Sequence, residues 1–311
     1  MALEYSMHEQ TLSLTGQDSH DITGTVFCPD TPHSVLVIAH GMAEHAGRYA
    51  DFARWLAEHD IAVVTFNHRG HGPACPTDQL GHFSDTDGWR KVVDDLNLVL
   101  LDTWERFPGI PLALLGHSMG SFIAQSCAQQ HPGSLDFLIL SATNRIHRPQ
   151  LWASGALIDG IRRLYGSHHR SPTIARMTFG KFNLLFRPNR TDCDWLSRDA
   201  GQVDQYVADP LCGFECTTRL WHDFIQGMLT IEPSRWRKDL PVHLFSGSDD
   251  PVGEMGKGAT RHFQNIRKSG VREVSLRLFE GGRHEMLNEA NAGEVREYVL
   301  SLLASGNEPD A

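Results

Sequence analysis

A serine bracketed by two glycines, between an apolar run and a helix-forming segment, most constrains the fold of this 311-residue chain. The motif, Gly-His-Ser-Met-Gly, occupies residues 116–120. Residues 110–115 before it have the composition of a buried strand, and residues 121–130 after it are typical of a helix. A Gly-x-Ser-x-Gly motif in this setting predicts a tight strand-to-helix turn that presents the hydroxyl of Ser118 at the edge of a sheet. An ordinary glycine-rich turn is the alternative interpretation.

Segments typical of strands alternate with segments typical of helices along most of the chain. This order predicts an α/β fold with a mostly parallel, eight-stranded sheet flanked by helices, after an opening antiparallel pair. The predicted strands lie at residues 11–14, 22–27, 34–39, 61–66, 110–115, 135–141, 242–246 and 274–279. The predicted helices lie at residues 49–59, 87–107, 121–130 and 289–303, with Asp87 as the N-cap of the second.

The alternation stops after the sixth strand, between residues 142 and 240. This stretch is rich in arginine and aromatic residues, and its apolar clusters lie at residues 151–165, 179–186 and 220–229. Ligands of open α/β sheets bind beyond the carboxyl ends of the strands, so we predict that this insertion is a helical cap above the serine. The predicted division is a first core part (1–141), a cap or lid (142–240), a second core part (241–304) and a disordered tail (305–311).

Charge and cysteine content exclude several classes of protein. The formal net charge is −10, which argues against nucleic acid as a partner. The first residues do not resemble a signal peptide, and no apolar run reaches the roughly 20 residues that span a bilayer. The six cysteines are scattered, which predicts reduced thiols and a cytoplasmic location. Cys212 and Cys216 could meet on a helix, but no matching histidine pair accompanies them, so we predict no metal and no cofactor.

Two further residues complete a candidate catalytic set. A serine hydroxyl needs a base, and the base needs an orienting carboxylate, in the chain order Ser, Asp or Glu, His for this type of turn. Asp249 and Asp250 follow the seventh predicted strand, and His284 lies in a glycine-rich loop after the eighth. We predict Ser118 as nucleophile, Asp250 as acid and His284 as base. Asp249 is the alternative acid, and a surface histidine with helix-capping aspartates is the alternative interpretation.

An acyl-transfer site also requires donors for the negative charge that develops on the substrate carbonyl. One donor is expected from the backbone N–H after the nucleophile, here Met119. The other is expected from the loop after the third strand, where Gly41 permits a close turn and the N–H of Met42 is the candidate. We therefore predict an oxyanion hole formed by Met42 and Met119.

Several segments carry a resemblance to a known family: residues 40–49, 67–72, 116–120 and 247–252, together with His284, and an Asp-Pro-Leu segment at residues 209–211. Taken together, they resemble the monoacylglycerol lipase and lysophospholipase branch of the α/β-hydrolases, which are serine aminopeptidase S33-like proteins. The resemblance implies an α/β-hydrolase fold, and it places the family's acid on Asp250 and its oxyanion donors on Met42 and Met119. Asn67 stands where the family usually has Asp, and Ser121 stands where Gly often follows the motif.

The resemblance also implies roles for histidines near the site. His45, His68 and His71 are expected to hold loops by hydrogen bonds rather than to bind metal. His117 is typical of the family at its position beside the nucleophile.

The implied activity is ester hydrolysis through an acyl-enzyme, with a single-chain lipid ester such as monoacylglycerol or a lysophospholipid as substrate. Candidate substrate-binding residues are Gly41, His117, Trp152 and Leu157. An amphipathic cap helix over residues 152–165 predicts transient contact with a membrane surface, and thus a location peripheral to membranes. The alternatives are a short-chain carboxylesterase, a peptidase, or a ligand-binding protein without catalysis. Four cap arginines could meet a lipid phosphate but are also typical of a solvated surface: Arg162, Arg163, Arg170 and Arg176.

Overall fold

An eight-stranded sheet forms the centre of the computed structural model, which describes residues 7–305. Its spatial order is β1-β2-β4-β3-β5-β6-β7-β8. β2 pairs antiparallel with both β1 and β4, and every other pairing is parallel. The strands are β1 (Met7–Thr15), β2 (Asp21–Pro29), β3 (Ser34–Ala39), β4 (Ile61–Phe66), β5 (Leu112–His117), β6 (Phe137–Ser141), β7 (Val242–Gly247) and β8 (Val274–Phe279). The predicted fold class is confirmed.

Continuous apolar sequence explains which strands are central. Every residue of β3, β4, β5, β6 and β7 is buried, as expected for parallel strands covered on both faces. β1 and β8 lie at the two edges of the sheet, where their side chains are partly exposed. The motif that carries Ser118 therefore follows a strand in the middle of the sheet, where the backbone is held on both sides.

Helices cover both faces of this sheet. One apolar core joins the sheet to α2, α3 and α9, and the other joins it to α1 and α10. The helices are α1 (Ala50–Ala57), α2 (Gly88–Arg106), α3 (Met119–Gln130), α4 (Arg148–Tyr165), α5 (Pro172–Ala175), α6 (Lys181–Asn183), α7 (Ala200–Ala208), α8 (Thr218–Thr230), α9 (Lys257–Lys268) and α10 (Ala292–Ser305).

The start of α2 differs from the prediction. Asp87 precedes the helix, but it has a left-handed backbone with φ of 53° and its side chain makes no capping hydrogen bond. Gly88 follows it because a Cβ at that position would lie 2.3 Å from Asp223 Oδ2 in α8. The helix therefore begins at Gly88, where α8 approaches closely, and Asp87 does not act as a side-chain cap.

Five helices, α4 to α8, lie between β6 and β7. α8 packs on α2 so closely that a Cβ on Gly227 would lie 1.9 Å from the ring of Trp89. A smaller apolar cluster is buried within the insertion itself and includes Trp195, Leu196 and Tyr206. Residues 142–240 thus contain helices and no strand of the sheet, and their treatment as a separate cap remains a prediction.

Three smaller sequence predictions concern cysteines, the tail and membrane spans. Cys212 and Cys216, whose spacing allowed them to meet on a helix, do not share one, because both lie in the irregular segment before α8. Of the predicted tail, Ser305 is the last residue of α10, and residues 306–311 lie outside the described part of the chain. Within residues 7–305, no helix has the length and apolar composition required to cross a membrane.

Candidate active site

Ser118 occupies a strained turn between β5 and α3. Its backbone has φ of 49° and ψ of −116°, a conformation that costs free energy in any residue with a side chain. The neighbouring glycines are required by close approach: a Cβ on Gly116 would lie 2.5 Å from Gly120 O, and a Cβ on Gly120 would lie 2.1 Å from Ala39 O. The turn is held by a hydrogen bond from Ser118 N to Ser141 O of 3.0 Å. This geometry leaves the hydroxyl of Ser118 free to face an adjacent loop.

The structure brings Ser118, His284 and Asp250 together. His284 Nε2 lies 3.0 Å from Ser118 Oγ, and His284 Nδ1 lies 3.0 Å from Asp250 Oδ1. The carboxylate of Asp250 also accepts hydrogen bonds from Val252 N and Ser246 Oγ, so its orientation is fixed. The side chain of Asp249 instead accepts a hydrogen bond from Ser248 Oγ, 3.1 Å away. Of the two adjacent aspartates, only Asp250 contacts the imidazole.

Burial and charge have opposite effects on His284, which is 3% exposed. Burial alone would lower the pKa of His284, but the nearby carboxylates, Asp250 foremost, together outweigh it, and the pKa is raised above its ordinary value of 6.5. Glu285 and Glu44 act in the same direction. A raised pKa strengthens the imidazole as a base for the serine proton and stabilises the imidazolium that results.

Two residues whose backbone N–H groups are the oxyanion-hole candidates lie beside Ser118. Met119 is the first residue of α3, and Met42 lies in the loop after β3; both residues line the same cavity as Ser118. Among residues 7–305, neither amide has a hydrogen-bond acceptor. The amide of Gly41 is not available, because it donates to Glu44 Oε1.

The loop that carries Met42 is fixed by buried imidazoles. His40 Nε2 accepts a hydrogen bond from His68 N, and His71 Nε2 accepts one from Ala43 N. His45 Nδ1 accepts from Gly47 N, and its Nε2 lies 2.9 Å from Asp209 Oδ2. His45 and His71 therefore hold loops as predicted. The ring of His68 does not, since neither of its nitrogens has a hydrogen-bond partner within the described residues.

A buried ion cluster that the sequence analysis missed lies beside the site. Arg48 donates to both carboxylate oxygens of Glu285, at 2.5 and 2.7 Å, and its Nη1 lies 3.4 Å from Glu44 Oε2. Glu44 also accepts a hydrogen bond from Tyr49 Oη. Burial would raise the pKa of Glu285, but the charge of Arg48 outweighs it and the pKa is lowered. Sequence signals existed: Glu44 and Arg48 are four residues apart, and Glu285 directly follows His284.

A cavity of about 520 Å³ opens at Ser118. Its walls come from the oxyanion-hole candidates, the loop after Asp250 and the insertion, and most of its aromatic and aliphatic residues belong to the insertion. Those insertion residues are Leu151, Phe179, Phe182, Leu185, Trp195, Trp221, Phe224 and Met228. A volume of this order is typical of small-molecule sites.

The four predicted substrate-binding residues do not line this cavity. Trp152 and Leu157 point outward from α4, with 60% and 44% of their surfaces exposed, whereas their neighbour Leu151 faces the cavity. Gly41 packs against Ser118, because a Cβ there would lie 3.4 Å from Ser118 Cβ. His117 is buried, its Nδ1 lies 3.1 Å from Ser141 Oγ, and burial lowers its pKa to about 4, so it is neutral near pH 7.

The insertion also contacts the loop of His284. The rings of Trp195 and His284 have centroids 5.0 Å apart, and Glu285 N donates to Leu196 O at 2.8 Å. Arg283 donates to the carbonyls of Asp194 and Ser197. No periodic pattern marks this irregular segment in the sequence, which is why Trp195 escaped prediction.

Comparisons with known proteins agree with this geometry. A family model described as "Serine aminopeptidase, S33" matches residues 30–291. The chain is 31% identical to the monoacylglycerol lipase of Mycolicibacterium smegmatis over 297 residues, which cover 94% of this chain and 96% of the relative. It is 27% identical to human monoglyceride lipase over 271 residues, or 83% of this chain and 78% of the relative. The crystal structure of a thermostable carboxyl esterase from Bacillus coagulans, in complex with glycerol, shares the fold, with a TM-score of 0.87, 24% identity, and coverage of 96% and 99% of the two chains.

Proposed function

Because the chain belongs to the serine aminopeptidase S33 family, in the monoacylglycerol lipase branch of the α/β-hydrolases, we propose that its ester hydrolysis uses Ser118, His284 and Asp250 as a catalytic triad. The chain is a carboxylic ester hydrolase. The observation that carries the assignment of roles is the continuous contact from Ser118 Oγ through the imidazole of His284 to Asp250, with both distances at 3.0 Å.

In the first step, Ser118 Oγ attacks the ester carbonyl carbon while its proton moves to His284 Nε2. The carbonyl oxygen becomes an oxyanion, which the N–H groups of Met42 and Met119 stabilise. Asp250 keeps the proton of His284 on Nδ1, so that Nε2 is the basic nitrogen, and it stabilises the imidazolium. When the tetrahedral intermediate collapses, the imidazolium protonates the leaving alcohol and the acyl group remains on Ser118.

In the second step, a water molecule replaces the alcohol. His284 Nε2 takes a proton from this water as its oxygen attacks the acyl carbon, and the same two N–H groups stabilise the second oxyanion. Collapse of this intermediate returns the proton from His284 to Ser118 Oγ and releases the carboxylic acid.

The shape and lining of the cavity favour an acyl chain of a lipid. Aromatic and aliphatic side chains from the insertion surround the space next to Ser118. Burial of a hydrocarbon chain there would stabilise the complex by about 25 cal/mol for each Å² of apolar surface that is removed from water. A short acyl group would leave most of this apolar surface unused. We therefore favour a single-chain lipid ester over a short-chain ester as the substrate.

Charge near the nucleophile favours an uncharged alcohol group. Glu44 and Glu285 outnumber Arg48 in the buried ion cluster, so the cluster repels an anion close to Ser118. Among the cationic side chains that line the cavity, Arg145 is paired with Glu254 at 2.7 Å. Lys181 is the lining cation that would favour a lysophospholipid. On balance, we propose monoacylglycerol as the substrate.

Two of the four cap arginines considered as phosphate ligands are engaged elsewhere. Arg162 pairs with Asp159, and Arg170 donates to the backbone carbonyls of Asp78 and Leu80. These contacts weaken the case for a phosphate-bearing substrate.

The outer face of α4 supports contact with a membrane surface. Trp152, Leu157 and Leu164 are exposed on this helix. Arg163 is the only charged residue among the exposed positions of α4, all of which belong to the described part of the chain. Leu184 and Leu185 add exposed apolar surface near the cavity. We propose that this face, the outer α4 face, rests on lipid while substrate enters.

The function is tested with a panel of substrates at one protein concentration. The panel contains a monoacylglycerol and a lysophosphatidylcholine with the same acyl chain, p-nitrophenyl butyrate and an aminoacyl arylamide. The Ser118→Ala variant is the control for contaminating hydrolases. We expect the highest kcat/KM for monoacylglycerol, with activity abolished in the variant. Preference for the butyrate or the arylamide would overturn the proposed substrate class, and activity that survives Ser118→Ala would overturn the triad.

A further inference from the structure

Three side chains of types that bind metal ions lie close together outside the proposed active site. His82 and Asp85 lie in the loop between β4 and α2, and His168 lies in the loop between α4 and α5. Asp85 Oδ1 is 3.3 Å from His82 Nε2 and 2.8 Å from His168 Nε2. None of the three lines the cavity at Ser118. The proposed hydrolysis therefore gives these residues no role.

The hydrogen bonds of His82 fix which of its nitrogens is free. Its Nδ1 lies 3.1 Å from Thr217 Oγ1, and that hydroxyl also lies 3.1 Å from Gly81 O. Because a carbonyl only accepts, the hydroxyl proton points to Gly81 and Thr217 Oγ1 must accept from His82 Nδ1–H. Neutral His82 therefore carries its lone pair on Nε2, the nitrogen that faces Asp85 and His168.

Within residues 7–305, that lone pair has no hydrogen-bond donor. His82 is 6% exposed, and its Nε2 is buried without a hydrogen-bond partner among the described residues, despite its 3.3 Å distance to Asp85. A buried nitrogen lone pair directed at a carboxylate and a second imidazole is an unfavourable arrangement by itself. A cation here would give His82 Nε2 a partner. Without one, His168 Nε2 donates to Asp85 Oδ1 at 2.8 Å, so the proton of His168 must move to Nδ1 before Nε2 can bind the ion.

Backbone contacts hold the two loops in place before any ligand arrives. Thr217 N donates to Gly81 O, and Thr218 N donates to His169 O, so the start of α8 is bonded to both loops. Arg170, two residues after His168, donates to the carbonyl of Leu80 at 2.7 Å. The positions of the ligands are thus set by at least three hydrogen bonds that do not involve their side chains.

We propose that His82 Nε2, His168 Nε2 and Asp85 Oδ1 bind a divalent transition-metal ion such as Zn²⁺. Tetrahedral zinc with bonds of about 2.0–2.1 Å places its ligand atoms roughly 3.4 Å apart. The three atoms already lie within 4.8 Å of one another, and the separation of His82 from Asp85 is 3.3 Å. The imidazoles are stacked at 4.2 Å, so His168 must rotate slightly, and its side chain is 53% exposed and free to do so. Water would take the fourth position.

A second cluster of similar composition has no such unpartnered imidazole nitrogen among the described residues. In the group His45, Asp209 and Cys212, His45 Nδ1 accepts from Gly47 N, so Nε2 carries the proton and donates to Asp209 at 2.9 Å. Burial raises the pKa of the Cys212 thiol, which opposes the thiolate that a metal requires. Both ring nitrogens of His45 are thus already partnered, whereas His82 Nε2 is not, and the second cluster serves as an internal contrast on this point.

The location of the proposed metal gives it a mechanical role. His82 and Asp85 belong to the sheet-bearing part of the chain, and His168 belongs to the insertion. One ion would therefore join the insertion to the rest of the protein at a point outside the cavity. We expect metal binding to stabilise the fold and to restrict movement of the insertion, without contact with Ser118.

Isothermal titration with ZnCl₂ tests the site, using metal-depleted protein without a polyhistidine tag. We expect one Zn²⁺ per chain, and we expect Asp85→Asn and His168→Ala each to weaken binding by at least about 10-fold. Both side chains are largely exposed, so both variants should fold, which circular dichroism checks. His169→Ala is the matched control from the same loop, and its affinity should equal that of the unaltered protein.

A thermal melt supplies an independent readout. Saturating ZnCl₂ should raise the Tm of the unaltered protein and of His169→Ala, and it should leave the Tm of His168→Ala unchanged, because a ligand stabilises only the state that binds it. Equal zinc affinity in all variants, loss of binding in His169→Ala, or no saturable binding would each overturn the assignment. None of these readouts depends on ester hydrolysis.

Discussion

The indole of Trp195 packs on the imidazole of His284, with ring centroids 5.0 Å apart, so a residue of the insertion covers the proposed catalytic base. The contact excludes water from one side of the imidazole. Since burial lowers the pKa of His284 and Asp250 raises it, the insertion and the core set this pKa together. The basicity of the proposed triad therefore depends on where residues 193–197 lie.

This contact predicts the effect of Trp195→Ala on pH dependence. Loss of the indole should let water reach His284 and reduce the desolvation that lowers its pKa, so the pKa should rise. The midpoint of the plot of kcat/KM against pH should therefore move to higher pH. The rate on the plateau should also fall, by about 10-fold, as the imidazole loses a packing partner. Trp195→Phe keeps a ring against His284 and should restore the midpoint; an unaltered midpoint in Trp195→Ala would show that the indole has no such role.

A second prediction concerns the pH profile of the unaltered protein. Only neutral His284 accepts the proton of Ser118, and its pKa is raised above 6.5. Activity should therefore be full at pH values above the raised pKa and be lost as the pH falls through it, with the midpoint above 6.5. Measurement of kcat/KM from pH 5 to pH 9 checks the sign.

Asp250→Asn should move that midpoint downward, because it removes the charge that favours the imidazolium. It should also lower kcat by roughly 1,000- to 10,000-fold, the order found for the corresponding change in a serine protease. Asp249→Asn is the matched control, since the side chain of Asp249 contacts Ser248 rather than His284, and its kcat should change little.

The buried ion cluster predicts a change in head-group preference. Glu44→Gln removes one of the two carboxylates near Arg48, so it should raise kcat/KM for a lysophosphatidic acid relative to a monoacylglycerol of equal chain length. We expect the removal of this one charge to change the ratio of the two kcat/KM values by about 3- to 10-fold. Glu9→Gln, an exposed acid on β1, is the control and should leave the ratio unchanged. A constant ratio in Glu44→Gln would remove the electrostatic argument for an uncharged alcohol.

The outer α4 face predicts which residues bind lipid. A double variant, Trp152→Ser with Leu164→Ser, should reduce co-sedimentation with phosphatidylcholine vesicles by at least about 10-fold, while hydrolysis of a dispersed short-chain ester persists. Trp104→Ser is the matched control, because Trp104 is as exposed as Trp152 but lies on α2. Equal binding by all three proteins would place the lipid contact elsewhere or exclude it.

Close packing of α8 on α2 predicts opposite effects of two glycine substitutions. Gly227→Ala inserts a methyl group 1.9 Å from the Trp89 ring and should destabilise the fold by about 1–3 kcal/mol or more. Gly160→Ala, in α4, meets no atom within 4 Å and should stabilise the protein by up to about 1 kcal/mol through helix propensity. Chemical denaturation of both variants checks the difference in sign.

Sequence reasoning worked where regular structure repeats. Continuous apolar runs identified β3 and β4 to the residue, because buried parallel strands admit few polar side chains. The positions of Ser118, Asp250 and His284 after the fifth, seventh and eighth strands predicted that they would meet, because the carboxyl ends of parallel strands share one edge of a sheet.

The same reasoning failed where tertiary packing decides. Trp152 and Leu151 are adjacent and both have large, mainly apolar side chains, yet one is exposed and the other lines the cavity, because the orientation of α4 is set by its contact with α8. Trp195 lies in an irregular segment without periodicity. Asp87 has the composition of a helix cap, but the packing of Asp223 against Gly88 determines the start of α2.

The absence of a side chain at Gly227 has a consequence for protein engineering. Because α8 interlocks with Trp89, it belongs mechanically to the scaffold even though it lies within the predicted cap. A chimaera that takes its cap from a relative should therefore exchange only residues 142–217. The splice point would then lie before Thr218, and the recipient protein would keep its own α8. A graft that carried a foreign eighth helix would need a foreign partner for it in α2 as well.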